Sequence, residues 1–185
     1  MKTVDFTRME DGTVEDYTLL AEHEKKFLAG LPNRIVIALE KLENSFSGYK
    51  IDRLEHCLQT ATRALRDGAD IDWIISALIH DIGDDLAPLN HDSFAATIIA
   101  PYVREECRWV IKHHGIFQLK YYGEKIGLNP KESQKFKNHE HFAAAVNFCE
   151  KWDQTSFDPN YNTLPLDYFI PMIVEVFSRE PWTFN

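Results

Sequence analysis

A chain of 185 residues that is 44% hydrophobic can bury one core, and no composition shift marks a second domain, so a single domain over residues 1–185 is expected. The formal net charge of −9 opposes polyanions and argues against a nucleic-acid partner. Cys57, Cys107 and Cys149 form no CxxC pair, Met1-Lys2-Thr3-Val4-Asp5 opens no apolar leader, and no apolar run nears the ~20 residues of a membrane helix. Reduced thiols, no membrane partner and a cytoplasmic location are therefore expected.

In chain order, Thr13 with Glu15 and Asp16 predicts a helix start, and Tyr17, Leu20, Phe27 and Leu28 its apolar stripe. Asn33 is the expected cap of a second helix through Ile35, Ala38, Leu39 and Leu42. His23, among Glu22, Glu24, Lys25 and Lys26, reads as part of a solvated face. Ser47-Gly48-Tyr49 breaks the pattern at a place suited to a lid. Leu54, Cys57, Leu58, Ala61, Ala64 and Leu65 then recur at helical spacing over 52–66, with His56 at the stripe's edge and Gly68 ending the run.

Asp70 or Asp72 caps the next helix, whose Ile74, Ile75, Ala77, Leu78 and Ile79 are apolar on nearly all sides, as in a central buried helix. His80 and Asp81 stand at its end, where Gly83 is a natural terminator. A charged Asp81 there is costly unless paired, and a metal is an effective partner. Asn90 is a possible N-cap, His91 falls in the first turn that follows, and Phe94, Ala95, Ile98 and Ile99 form a buried face stopped by Pro101. A helix is predicted over 104–114, with Cys107, Val110 and Ile111 inward and Gly115 past its end. Only one of His113 and His114 should share that inward face. The segment 115–123 is aromatic and suits either a pocket wall or packed core, and 131–137 reads as a charged connector. Phe142, Ala145, Val146, Cys149 and Trp152 mark a helix ending in Asp153, and a last helix spans 166–177 with a kink or boundary expected at Pro171. With no strand alternation, the fold class is all-α.

The order H…HD…H…H…D, drawn from His56, His80, Asp81, His91, His114 and Asp153, resembles the HD-domain superfamily of helical metalloenzymes. The resemblance implies an HD-domain helical bundle with a metal-binding core over about 52–154, on which helices 13–43 and 166–177 pack. It also implies His114, not His113, as the ligand. Four positions (His56, His80, Asp81, Asp153) would serve one metal, and the two extra histidines imply a second metal bridged by Asp81. Nitrogen and oxygen donors suit iron, manganese or zinc and leave positions open for water, O₂ or a chelating substrate.

Two reaction classes follow from those open positions. The HD phosphodiesterase branch usually has a basic residue where this chain has Asp84, next to Asp85, which lowers a phosphohydrolase reading with Mn or Zn. The chain resembles the mixed-valent di-iron oxygenases, which include myo-inositol oxygenase and the small phosphonate-cleaving oxygenases, and length, ligand order, Leu54-Glu55-His56 and Trp152-Asp153 look most like the phosphonate group. That likeness implies two irons, Fe(II) and Fe(III), with His80 and Asp81 at the catalytic centre. It further implies O₂ and a 1-hydroxy-2-aminoethylphosphonate-type substrate, cleaved to a carboxylate and phosphate. Asp84, Gln118 and Glu150 stand where relatives are basic or carry histidine. With Phe117, Tyr121 and Tyr122, they favour the trimethylammonio form of the substrate and glycine betaine as product. Lys120 is the nearest basic candidate for the phosphonate, and Tyr49, or Phe46, for the lid. The remaining alternative is a non-catalytic metal-binding HD module. A monomer or small homo-oligomer is expected.

Overall fold

The computed structural model describes residues 2–182. Its elements are α1 (Val14–Ala29), α2 (Leu31–Lys41), α3 (Arg53–Arg66), α4 (Ile71–Ile79), α5 (His91–Ile99), α6 (Glu105–Tyr122), α7 (Phe142–Asn147) and α8 (Leu166–Phe177). Short 3₁₀ turns join them, and there is no strand among the described residues. The architecture is an all-α bundle in which α3 packs on α4, α5 on α6, and α8 on both α2 and α4. No helix among the described residues is long and apolar enough to cross a membrane.

The helix starts follow from capping chemistry. Thr13 and Asp16 form a reciprocal capping box on α1, and the side chains of Asp52 and Asp70 accept from Glu55 N and Trp73 N to cap α3 and α4. α4 is the central helix. Ile75, Ala77, Leu78 and Ile79 are fully buried, and the core around them takes in Cys57, Ala61, Ile99, Ile111 and Ile173.

Several elements depart from the expectations above. α2 begins at Leu31 and not at Asn33, because Pro32 in the first turn presets the helical φ and needs no N–H partner. α6 does not stop before Gly115 but runs on to Tyr122; an interior glycine costs a helix only about 1 kcal/mol relative to alanine, which the flanking turns absorb. The charged connector carries a 3₁₀ turn over Glu132–Phe136, and α8 continues through Pro171. α1 has no buried residue: Tyr17, Leu20, Phe27 and Leu28 remain exposed, and the Phe27 ring carries the Arg34 guanidinium at 3.9 Å.

Candidate metal centre

Six side chains from five places in the chain converge at the inner end of α4. His56 comes from the first turns of α3, where it is buried beside Cys57. His80 and Asp81 follow the last residue of α4 in a run of turns held by Ile82 N to Ile79 O and Asp84 N to Asp81 O bonds. His91 opens α5, His114 sits mid-way along α6, and Asp153 ends a π-helical turn, Phe148–Asp153, that continues α7. A π turn shifts the side chains that follow it off the α-helical register, which is one reason such turns mark functional sites.

The two oxygens of Asp81 face different partners. Oδ2 lies 3.4 Å from both His56 Nε2 and His80 Nε2, while Oδ1 lies 3.3 Å from His114 Nε2 and 3.4 Å from His91 Nε2. Asp153 Oδ1 stands 3.3 Å from His56 Nε2 and 3.6 Å from His80 Nε2. Three overlapping groups have the closeness of a metal ligand set: His56, His80 and Asp81; His80, His114 and Asp153; and Asp81, His91 and His114.

Tautomers are fixed by the backbone. His56 Nδ1 donates to Ser156 O, His80 Nδ1 to Ala77 O and His114 Nδ1 to Ile111 O, at 2.8, 2.8 and 2.7 Å. A carbonyl can only accept, so each neutral ring turns an Nε2 lone pair inward, the state a metal requires. Among the described residues the buried Asp153 Oδ2 has no hydrogen-bond partner, an acceptor left over that a cation would satisfy. These features fit a metal centre.

Without a metal the same groups hold protons. Burial alone would lower His114, but the Asp81 hydrogen bond and charge raise it to about 9. His80 is raised too, as Asp81 and Asp153 overcome burial. Burial opposes ionisation of Asp81 and Asp153, yet the surrounding histidines keep both carboxylates well below the ordinary range.

A cavity of about 290 Å³ opens onto the centre, walled by Tyr49, Gln118, Tyr121, Tyr122, Gln154 and Phe157 beside the ligands. His114, Gly115, Gln118, Tyr121 and Tyr122 share one face of α6 and line the cavity. Phe157 stacks on His56 with centroids 4.3 Å apart and meets Tyr49 at 4.8 Å. Of the two lid candidates, Tyr49 reaches the wall and Phe46 does not. Burial pushes the Tyr121 phenol up to about 12 and Tyr122 in the same direction, so both are neutral donors.

Two expected substrate contacts lie elsewhere. Asp84 is not on the wall: Arg53 Nε holds its Oδ2 at 2.6 Å and His91 Nδ1 stands 3.4 Å from its Oδ1. Lys120 points to Glu150 at 3.7 Å and lines a separate cavity of about 210 Å³. Phe117 is core. His113 packs on Trp109, to whose carbonyl its Nδ1 donates. Arg53, which sequence reasoning overlooked, is the one arginine or lysine on the wall among the described residues, with Nη1 3.0 Å from Asp81 Oδ2. Its signal was its place three residues before His56, one turn away on the same helix face.

The family model described as HD domain matches residues 53–137, a span that contains every converging residue except Asp153. No curated protein matches the chain. The match, the helical fold and the buried His/Asp cluster together support the HD-domain superfamily and a metal-dependent enzyme of that type.

Proposed function

We propose that this chain is a metalloenzyme of the HD type and, more closely, an O₂-dependent di-iron oxygenase. It would cleave the C–P bond of a 1-hydroxy-2-aminoethylphosphonate-type substrate, in its trimethylammonio form, to glycine betaine and phosphate. The observation that carries the two-metal reading is the division of Asp81, one oxygen toward His56 and His80 and the other toward His91 and His114. In this reading His56, His80, Asp81 and Asp153 hold one iron, and Asp81, His91 and His114 the other. When bound, the iron pair supplies O₂ activation and a chelating seat for the substrate's oxygens.

The reaction balances without an added reductant. One O₂ takes four electrons as the hydroxylated carbon becomes a carboxylate, the C–P bond breaks, and phosphate and one proton leave. The chain's own residues do the rest. The cavity volume admits only a small molecule, and the rings of Tyr49, Tyr122 and Phe157 stand on its wall. Tyr121 and Tyr122 offer neutral O–H donors, and Gln118 and Gln154 offer amides, for substrate oxygens. Aromatic faces suit a quaternary ammonium, which has no N–H to satisfy.

A hydrolase of small phosphate esters using Mn or Zn is favoured by one observation, the Arg53 guanidinium on the wall. Arg53 is already engaged by two carboxylates, which weakens it as a phosphate anchor. Protein purified without oxygen separates the two readings. The oxygenase should contain two irons per chain, show the EPR signal of a coupled mixed-valent pair, and consume O₂ as it releases phosphate from the hydroxyphosphonate. Anaerobic, metal-dependent hydrolysis of a phosphate ester with no O₂ uptake would establish the hydrolase.

A further inference from the structure

Three of the four converging histidines are oriented by backbone carbonyls, and His91 is the exception. Its Nδ1 faces the Asp84 carboxylate at 3.4 Å, while its Nε2 faces Asp81 Oδ1. It is also the most exposed of the four, with 28% of its side chain accessible against 2% or less for the others. A ring at the first position of a short helix, open to solvent on one side, has more freedom to rotate than one locked between core side chains.

Asp84 itself is held. Its side chain is only 9% exposed, Arg53 Nε grips Oδ2 at 2.6 Å, and the Asp84 N–H bonds to Asp81 O within the turn. Arg53, in turn, spans Asp84 and Asp81 from the N-terminal turn of α3. The neighbouring Gly83 lets this turn press against α5: a Cβ there would sit 2.8 Å from His91 Cα and 2.9 Å from His91 O. The acid at position 84 is thus held on two sides, close to His91 and not on the cavity wall.

We infer that Asp84 is a positioning residue for the second metal: clamped by Arg53, its carboxylate orients His91 and strengthens its Nε2 as a donor to the Asp81–His91–His114 site. The inference rests on the two-metal reading proposed above. Carboxylates behind ligating histidines fix the tautomer and raise donor strength, and their removal lowers metal affinity about 10–100-fold. The His56–His80–Asp153 side has no contact with Asp84 of this kind, so the effect falls on one site only.

Anaerobic titration of the metal-free protein with Fe(II), counting bound iron per chain, tests this in wild type and in Asp84→Ala, Asp84→Asn and His91→Ala. Wild type should bind two irons and His91→Ala one. Asp84→Ala should weaken the second binding step about 10–100-fold and leave the first within twofold. Asp84→Asn, which keeps the shape and an acceptor oxygen but not the charge, should fall between wild type and alanine, and carries the test if alanine prevents folding. The inference is overturned if His91→Ala loses one iron while the Asp84 variants titrate like wild type, or if they weaken both steps equally, as a general loss of structure would. One iron in wild type, unaffected by His91→Ala, would instead remove the two-metal reading beneath it.

Discussion

His56 and His80 point their Nε2 atoms at each other across 3.0 Å while each gives its Nδ1 proton to a backbone carbonyl. Two neutral imidazoles in this pose oppose lone pair to lone pair, so the centre is stable only with a cation inside it, either protons or metal.

That relationship predicts opposite pH behaviour for the metal-free and metal-loaded protein. In the metal-free state His114 is raised to about 9, and His80 is raised as well. A base whose pKa rises on folding stabilises fully below its unfolded value near 6.5 and loses that contribution as pH climbs through the folded value. The thermal midpoint of metal-free protein should therefore fall between pH 6.5 and 9. In the loaded protein metal replaces these protons, so the fall should be absent, and loading at neutral pH should release protons to a weak buffer. A flat metal-free midpoint across this window would contradict the assignment of protons to the centre.

Removing Asp81 should be worse than removing any histidine. Its two oxygens serve both halves of the centre, so Asp81→Ala is expected to lose both metals, and His91→Ala only one. Metal content per chain after desalting distinguishes the two. Equal losses in both variants would mean that the halves are not separable.

Gly83 is under steric constraint from the His91 backbone. Gly83→Ala places a methyl carbon 2.8 Å from His91 Cα, which forces α5 away from the turn. Overpacking of this kind costs typically 1–3 kcal/mol. Denaturant unfolding should show a loss in that range, together with weaker binding of the metal that His91 serves. Wild-type stability in the alanine variant would show that the turn yields without strain.

Much of the centre was readable in the sequence because metal-ligand chemistry restricts residue type. Six residues chosen for chain order and donor type stand around one point, whereas His114 was set apart from His113 by the family resemblance alone. What escaped notice depends on side-chain direction. Asp84 read as an acid near the substrate's cation, but Arg53, a turn before His56, draws it toward His91. Gly115 read as a helix end, yet α6 runs through it and sets it on the cavity wall. The exposed apolar stripe of α1 could not be told from a buried one, since periodicity shows that a face exists and not what covers it.

Selectivity is the last consequence, and the geometry moves it from an acid to an aromatic ring. Asp84 is engaged by Arg53 and His91, so it should not read the substrate's ammonium group. Among the wall aromatics, Tyr121 already has Lys120 Nζ 5.3 Å from its centroid, Tyr49 has the Arg53 guanidinium at 5.4 Å, and Phe157 stacks on His56. Tyr122 makes no such pairing among the described residues and faces the cavity. A cation–π contact is worth about 0.5–2 kcal/mol depending on desolvation, a factor of about 2–30 in specificity. Methyl groups on nitrogen are tolerated by a ring face, whereas a site made of directional acceptors needs N–H donors. The ratio of kcat/KM for the trimethylated over the primary-amine hydroxyphosphonate should therefore drop about 2–30-fold in Tyr122→Leu. In Asp84→Asn, assayed at saturating iron so that any weakened metal site is filled, the ratio should stay at the wild-type value even if both rates fall. The reverse pattern, with the ratio lost in Asp84→Asn and kept in Tyr122→Leu, would return the ammonium contact to the carboxylate.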